Sequence, residues 1–163
     1  MSDRATDQDF MLQALSIASR AQAEGEPPFG ALLVAQSGII VAGASDEVRG
    51  GRDLSLHAEV NVVRRACQML GPDLSGSTLY TTVEPCPMCF TAAWLARVGR
   101  IVFGTTMDSV FHATGGAQRE LRVPAARLNE LSGEPLILQG GLLAQRCLLP
   151  FEAAAKKAGG YGS

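Results

Sequence analysis

The sequence has little net charge of either sign and no apolar run that approaches the length of a membrane span. Its 14 Lys and Arg residues nearly balance 16 Asp and Glu residues, for a net charge of -2, which argues against a strong electrostatic grip on nucleic acid or anionic lipid. The polar, acidic residues 1–9 lack the basic start and apolar core of a signal peptide. We therefore expect a cytoplasmic protein without a membrane partner.

Charged residues and cysteines are also scarce. Only 18% of the 163 residues are charged, whereas 47% are hydrophobic, which is enough apolar surface to form a core. We expect one domain over residues 1–158 and a disordered tail over residues 159–163. The four cysteines are too few for a disulfide framework in a chain of this size, so the close pair Cys86 and Cys89 indicates metal binding or redox chemistry.

Hydrophobic periodicity predicts alternating helices and strands. The predicted helices cover 7–24, 57–70, 86–97, 124–131 and 141–157, and the predicted strands cover 31–35, 39–42, 78–83, 100–103 and 136–138. Two stretches without periodicity, 43–55 and 104–123, are predicted to be irregular loops. Short strands interleaved with helices indicate a layered α/β domain.

Two short motifs carry the candidate chemistry. Cys86 and Cys89 stand at the start of a predicted helix, where the helix dipole favours thiolates. Their spacing alone fits a redox pair as well as a zinc site. The segment His57-Ala58-Glu59 begins the preceding predicted helix, and the two helix N-termini meet if both emerge at one edge of the sheet. His57, Cys86 and Cys89 then make three ligands, the number that leaves a catalytic zinc with one open position.

A structural zinc site would need a fourth protein ligand. The remaining candidates are Cys67, Cys147 and His112. Both cysteines lie in apolar patterns and are predicted to be small buried core residues. The ligand set therefore favours a catalytic site.

His57-Ala58-Glu59 and Pro85-Cys86-Pro87-Met88-Cys89 together match the signature of zinc-dependent base deaminases. From about Phe10 to Phe103 the sequence resembles the cytidine deaminase superfamily, and within it the branch of guanine, cytosine and tRNA-adenosine deaminases. The other matching segments are Pro28-Phe29-Gly30-Ala31, Leu79-Tyr80-Thr81-Thr82-Val83-Glu84, Ala96-Arg97 and Ile101-Val102-Phe103-Gly104. The resemblance implies a three-layer α/β/α fold with a central mixed sheet of about five strands.

The resemblance also implies a mechanism. One Zn²⁺ per chain would be held by His57, Cys86 and Cys89, with water or hydroxide in the fourth position. Glu59 would be the general acid and base that moves protons during hydrolysis of the amino group. Glu84 fits the family pattern as a residue that orients the site rather than as a catalyst.

Six positions are implied as substrate contacts: Asp46, Phe29, Ala58, Pro85, Phe111 and His112. Asp46 stands where members of this branch carry an Asn that contacts the substrate ring, although a simple turn aspartate is the alternative. Phe29 is equally consistent with a core aromatic, and a surface position is the more common one for His112.

The metal motifs look most like those of guanine and guanosine deaminases, but residues 108–116 lack the Phe-Asp-Asp segment that the guanine enzymes carry. We predict a small amino-heterocycle substrate, either a free base or a nucleoside. The alternatives are a base within RNA, as in tRNA adenosine deaminases, and a zinc module without activity, which the presence of Glu59 disfavours. Relatives of this branch are commonly homodimers, so we expect a homodimer here.

Overall fold

Helices and strands alternate along residues 5–159, the part of the chain that the computed structural model describes. In chain order they are α1 (Asp7–Ala23), β1 (Gly30–Val34), β2 (Ile40–Ser45), α2 (Ala58–Leu70), β3 (Thr78–Val83), α3 (Pro87–Leu95), β4 (Arg100–Thr105), α4 (Met107–Ala113), α5 (Ala125–Leu131), β5 (Ile137–Gln139) and α6 (Ala144–Gly159). Of the predicted tail, Gly159 ends α6, and residues 160–163 lie outside the described range.

The strands form one mixed sheet in the order β2-β1-β3-β4-β5. β1 pairs antiparallel with both β2 and β3, while β3, β4 and β5 run parallel. The mixed sheet of about five strands that the resemblance implied is therefore confirmed.

Alternation along β1 separates the two faces of the sheet. Ala31 and Leu33 belong to a core with residues of α2 and α3, whereas Leu32 and Val34 pack with residues of α1 and with Cys147 of α6. The three-layer arrangement is thus confirmed. α1 approaches β1 very closely, because a Cβ at Gly30 would lie 2.1 Å from the Ala14 carbonyl oxygen.

The prediction of an irregular loop over 104–123 is wrong for Met107–Ala113, which form α4. The Thr106 hydroxyl accepts a hydrogen bond of 3.0 Å from the Ser109 backbone N–H and caps this helix. Met107 and Val110 are buried in the core, so packing stabilises a helix that is too short to show a clear period. The other predicted loop, 43–55, also begins too early, because β2 extends to Ser45.

The structure confirms the predicted burial of Cys147 and only partly confirms that of Cys67. Cys147 is fully buried, as predicted, whereas Cys67 is half-buried against the core. Among residues 5–159, the helices are all too short or too polar to cross a membrane.

Candidate functional site

His57, Cys86 and Cys89 converge where α2 and α3 begin. The Nδ1 atom of His57 lies 3.6 Å from the sulfur of Cys86 and 3.6 Å from the sulfur of Cys89. The three donor atoms all lie within 4.8 Å of one another. A tetrahedral zinc with ordinary Zn–N and Zn–S lengths requires a nitrogen-to-sulfur distance of about 3.6 Å. The spacing and the nitrogen and sulfur donors therefore fit zinc.

Local sequence explains why these side chains are available. His57 and Cys86 are the N-cap residues of α2 and α3, both with extended backbones, and neither side chain caps its own helix. Pro87 follows Cys86 at the first helical position, where its fixed φ favours helix initiation. The side chains of His57 and Cys86 are therefore free to bind a metal. Both lie at helix N-termini, where the helix dipole is positive and favours a thiolate.

Hydrogen bonds among the ligands prepare a thiolate. The hydrogen bond from Cys89, together with one from His57, lowers the pKa of Cys86 to about 4. The hydrogen bond with Cys86 raises the pKa of His57 to about 9. The hydrogen bond with Cys86 also raises the pKa of Cys89. Because zinc binds thiolate and neutral imidazole, zinc uptake must release protons from this cluster.

Glu59 is a buried carboxyl group in the first turn of α2, two residues after His57. Its Oε1 accepts a hydrogen bond of 2.8 Å from the Thr81 hydroxyl of β3. Burial raises the pKa of Glu59, and the negative charge of Cys86 raises it further. Such a carboxyl holds a proton more readily than a solvated one, as a general acid and base must. Sequence reasoning missed Thr81, because nothing in the strand pattern distinguishes it from other buried strand residues.

The structure brings Asp46 and Ala58 together. Asp46 is buried, and its Oδ1 accepts a hydrogen bond of 2.7 Å from the Ala58 backbone N–H, directly after His57. Burial, followed by the charge of Glu59, raises the pKa of Asp46 to about 8. Asp46 therefore adjoins the start of α2 rather than standing in a solvated turn. Its contact with a substrate stays a prediction.

Two polar side chains hold the loop that carries Asp46. The Asn61 side-chain amide donates to the carbonyls of Ser45 (2.9 Å) and Leu56 (3.2 Å), which flank this loop. On its outer side, the Glu26 carboxylate accepts the backbone N–H groups of Arg49 (3.1 Å) and Gly50 (2.6 Å). This loop is thus held in place by side chains from α2 and from the connection between α1 and β1.

The structure shows other partners for the aromatic candidates and for His112. Phe29 packs edge-on against Phe151 in the core, with ring centroids 5.0 Å apart. The Arg122 guanidinium covers one face of Phe111 at 3.7 Å from the ring centroid. The His112 side chain is 70% exposed and faces Asp108 on its own helix at 3.3 Å. Pro85 is buried directly before Cys86. Their roles toward a substrate stay predictions.

Glu120 is an ionisable residue that sequence reasoning did not single out. It lies between α4 and α5 and is half-buried. Burial raises its pKa to about 7, with further contributions from the charges of Cys86 and Glu59. Its carboxyl group is therefore within electrostatic range of the ligand cluster. No motif or spacing marks it, because it belongs to a stretch without hydrophobic period.

Comparison with known proteins agrees with this geometry. Residues 4–105 match the family described as cytidine and deoxycytidylate deaminase zinc-binding region. A tRNA-specific adenosine deaminase from Bacillus subtilis (strain 168) is 42% identical over 99 residues, which cover 60% of this chain and 61% of that protein. The matched region thus spans about three fifths of that relative. The family match and the His/Cys/Cys cluster identify one zinc site per chain.

Solved structures with the same fold cover most of the chain. A guanine deaminase from Nitrosomonas europaea superimposes with a TM-score of 0.81 and 26% identity, over 91% of this chain and 86% of that one. The protein NE0047 in complex with 2,6-diaminopurine superimposes with a TM-score of 0.81 and 26% identity, over 91% of this chain and 82% of that one.

Proposed function

Because the chain belongs to the cytidine and deoxycytidylate deaminase zinc-binding family, we propose that it is a hydrolase that replaces the amino group of an amino-heterocycle with a carbonyl group. Water supplies the oxygen, the carbon–nitrogen bond breaks, and ammonia leaves. The observation that carries this proposal is the buried Glu59 carboxyl group beside the His57, Cys86 and Cys89 cluster. A structural zinc site is closed by four protein ligands and requires no neighbouring proton carrier.

His57, Cys86 and Cys89 would hold the zinc, which supplies activation of water near neutral pH when it is bound. Glu59 accepts the proton that water loses and delivers it to the ring nitrogen next to the amino-bearing carbon. It then helps to protonate the departing amine. Thr81 restrains Oε1 of Glu59, so the carboxyl group keeps one orientation through these transfers. Burial raises the pKa of Glu59, so this carboxyl group holds a proton more readily than a solvated one during these transfers.

The proposed substrate is a free base, a nucleoside or a related small amino-heterocycle. The fold supports this choice, since the guanine deaminase of N. europaea and the 2,6-diaminopurine complex superimpose over 91% of the chain. The small negative net charge offers no strong general attraction to a polynucleotide. The resemblance implies a Phe-Asp-Asp segment in the guanine enzymes that residues 108–116 lack, and on that ground we propose a substrate other than guanine itself.

Asp46 narrows this class. Above its pKa of about 8 Asp46 is ionised and accepts hydrogen bonds only, whereas the Asn that the resemblance implies at this position in relatives both donates and accepts. A ring N–H or a second amino group would form a charge-assisted bond with Asp46, but a carbonyl oxygen would not. We therefore propose a heterocycle that is rich in N–H donors.

A base within tRNA is the second candidate, and the 42% identity to the tRNA-specific adenosine deaminase of B. subtilis is the observation that favours it. Both classes of enzyme need the zinc-binding region by which the family is described, so we take that identity as support for the chemistry more than for the substrate. A direct assay distinguishes the two.

The test is a screen of the zinc-loaded protein against purines, pyrimidines, pterins, triazines, their nucleosides and tRNA. Ammonia release and a mass change of about one unit, amino to carbonyl, report turnover. We expect turnover of a small heterocycle and none of tRNA, with Glu59→Ala as the inactive control. Turnover of tRNA alone would favour the second candidate. A zinc-loaded protein that converts none of these compounds would contradict the proposal and favour a module without activity.

We also propose a homodimer. Met88 in the first turn of α3 and Leu95 at the end of that helix leave apolar surface open to solvent. Burying such residues against a second copy would remove this apolar surface from water. Light scattering on a sizing column is expected to give twice the chain mass, and the mass of a single chain at micromolar concentration would contradict it.

We place the protein in the cytoplasm. All four cysteines, each within the described range, are free of disulfide bonds, and zinc thiolate ligands persist best in a reducing compartment. Cell fractionation is expected to recover it with cytoplasmic enzymes, and recovery from an oxidising compartment would contradict this placement.

A further inference from the structure

Glu84 joins the metal-binding loop to two distant helices. It is buried and stands two residues before Cys86. Its Oε1 accepts the backbone N–H of Met107 at 3.1 Å, and its Oε2 accepts the backbone N–H of Ala125 at 2.9 Å. These donors are the first residues of α4 and α5. One carboxylate therefore fixes both ends of the segment 107–125.

The segment between these two anchor points folds back on itself. Arg122 stacks on the Phe111 ring and donates a hydrogen bond of 2.9 Å to Asp108, so the chain after α4 is held against that helix. Glu120 lies within this folded stretch, where the charges of Cys86 and Glu59 act on it. The segment 107–125 is thus tied at both ends to Glu84, two residues before the zinc ligand Cys86.

The contacts of Glu84 are strong and difficult to replace. A carboxylate that accepts backbone N–H groups at helix N-termini makes charge-assisted hydrogen bonds. Without it, two buried backbone donors would lose their partners. The Glu84 backbone N–H also donates to the Thr105 carbonyl at 2.8 Å, which holds the residue against the end of β4. The anchor is therefore itself rigid.

We propose that Glu84 is a positioning residue that sets the segment 107–125 against the zinc-ligand loop, and that it governs substrate binding rather than zinc binding. The kinetic part rests on the proposed deaminase function, whereas the structural part does not. Glu84 touches neither the cluster of ligand atoms nor Glu59 through any hydrogen bond among the described residues. Its effect would therefore pass through the segment it holds.

The first test is Glu84→Gln, which keeps the size of the side chain but sets an NH₂ group against one of the two N–H donors. We expect one zinc per chain as in the wild type, a KM raised at least about tenfold and a kcat that changes much less. Hydrogen exchange should quicken in peptides from 107–125 but not in peptides from α2. Glu134→Gln, at an exposed glutamate between α5 and β5, is the matched control and should change none of these quantities.

A second variant removes one donor and leaves Glu84 intact. Ala125→Pro deletes the N–H at the first position of α5, where proline is well tolerated, and Pro124 before it already has the extended backbone that a following proline requires. We expect a smaller rise in KM than in Glu84→Gln, and little added effect when the two changes are combined.

Three results would overturn the inference. The first is unchanged exchange in 107–125 and unchanged KM in Glu84→Gln. The second is loss of zinc from that variant, which would mean that Glu84 acts on the metal site. The third is full additivity of the two changes. If the wild-type protein converts no substrate, the proposed function fails, and hydrogen exchange in the two variants still decides whether Glu84 holds the segment.

Discussion

The Thr81 hydroxyl of β3 donates a hydrogen bond of 2.8 Å to Glu59 Oε1 of α2. This bond crosses from the central sheet to the helix that begins at a zinc ligand, and it restrains the carboxyl group to which we assign proton transfer. Two predictions concern this pair.

Glu59→Ala should keep one zinc per chain and lose turnover by about 10²–10⁴-fold, because it removes the proton carrier and leaves the ligands untouched. Zinc content by atomic emission and kcat on the substrate found in the screen test this expectation. Cys86→Ala should instead lose zinc and stability, and the exposed Glu130→Ala should change neither. Glu59→Ala with more than about a tenth of wild-type activity would show that another group carries the proton.

Thr81→Val should raise the pKa of Glu59, because the hydrogen bond from Thr81 opposes the raised pKa that burial causes. The base form of Glu59 would then require a higher pH, so the acidic limb of the kcat/KM profile should move upward while zinc content stays constant. Thr82→Val is the matched control. Its hydroxyl accepts from the Gly30 N–H at 3.2 Å and is not bonded to Glu59, so it should lower stability without moving this limb. Identical profiles for wild type and Thr81→Val would refute the assignment.

Asp46→Asn, assayed at about pH 9 where Asp46 of the wild type is ionised, should shift relative activity from N–H-rich heterocycles toward carbonyl-bearing bases such as guanine or cytosine. A polar mismatch in a buried site can discriminate by several powers of ten. The measurement is kcat/KM for the best substrate and for guanine in both proteins. Equal ratios in the two proteins would mean that Asp46 does not face the substrate.

The same residue predicts a pH dependence. With a pKa of about 8, Asp46 is mostly protonated at neutral pH and becomes a pure acceptor as the pH rises through that value. The preference of the wild type for a donor-rich substrate over a carbonyl-bearing one should therefore increase between about pH 7 and pH 9. Asp46→Asn should abolish this increase, and a flat ratio in the wild type would contradict the prediction.

Gly30→Ala should destabilise the fold by about 1–3 kcal/mol, because the new Cβ would strike the Ala14 carbonyl and force α1 away from β1. Urea unfolding followed by circular dichroism measures the loss. Gly99→Ala is the control, since its Cβ would lie 3.5 Å from the nearest atoms, an ordinary contact. Equal free energies of unfolding for the two variants would show that α1 can move away from β1 without loss of stability.

The sequence alone predicted the zinc-ligand cluster of His57, Cys86 and Cys89, because these residues belong to short motifs at helix starts. The motif of His57 also singled out Glu59, whose catalytic role stays a prediction. The sequence also predicted the order of most strands and helices, since periodicity and turn residues are local signals. A short helix such as α4 has no such period, and a cap at Thr106 together with core contacts of Met107 and Val110 decided its formation.

Only the tertiary structure decided how these elements complete the site. Ala58 meets Asp46 across 12 residues of sequence, Thr81 meets Glu59 across 22, and Ala125 meets Glu84 across 41. Each contact joins a buried side chain to a segment brought near by sheet topology, and no local spacing encodes such a meeting. The segment 107–125 shows the same limit, because it is fixed at both ends by the Glu84 carboxylate, which lies elsewhere in the chain.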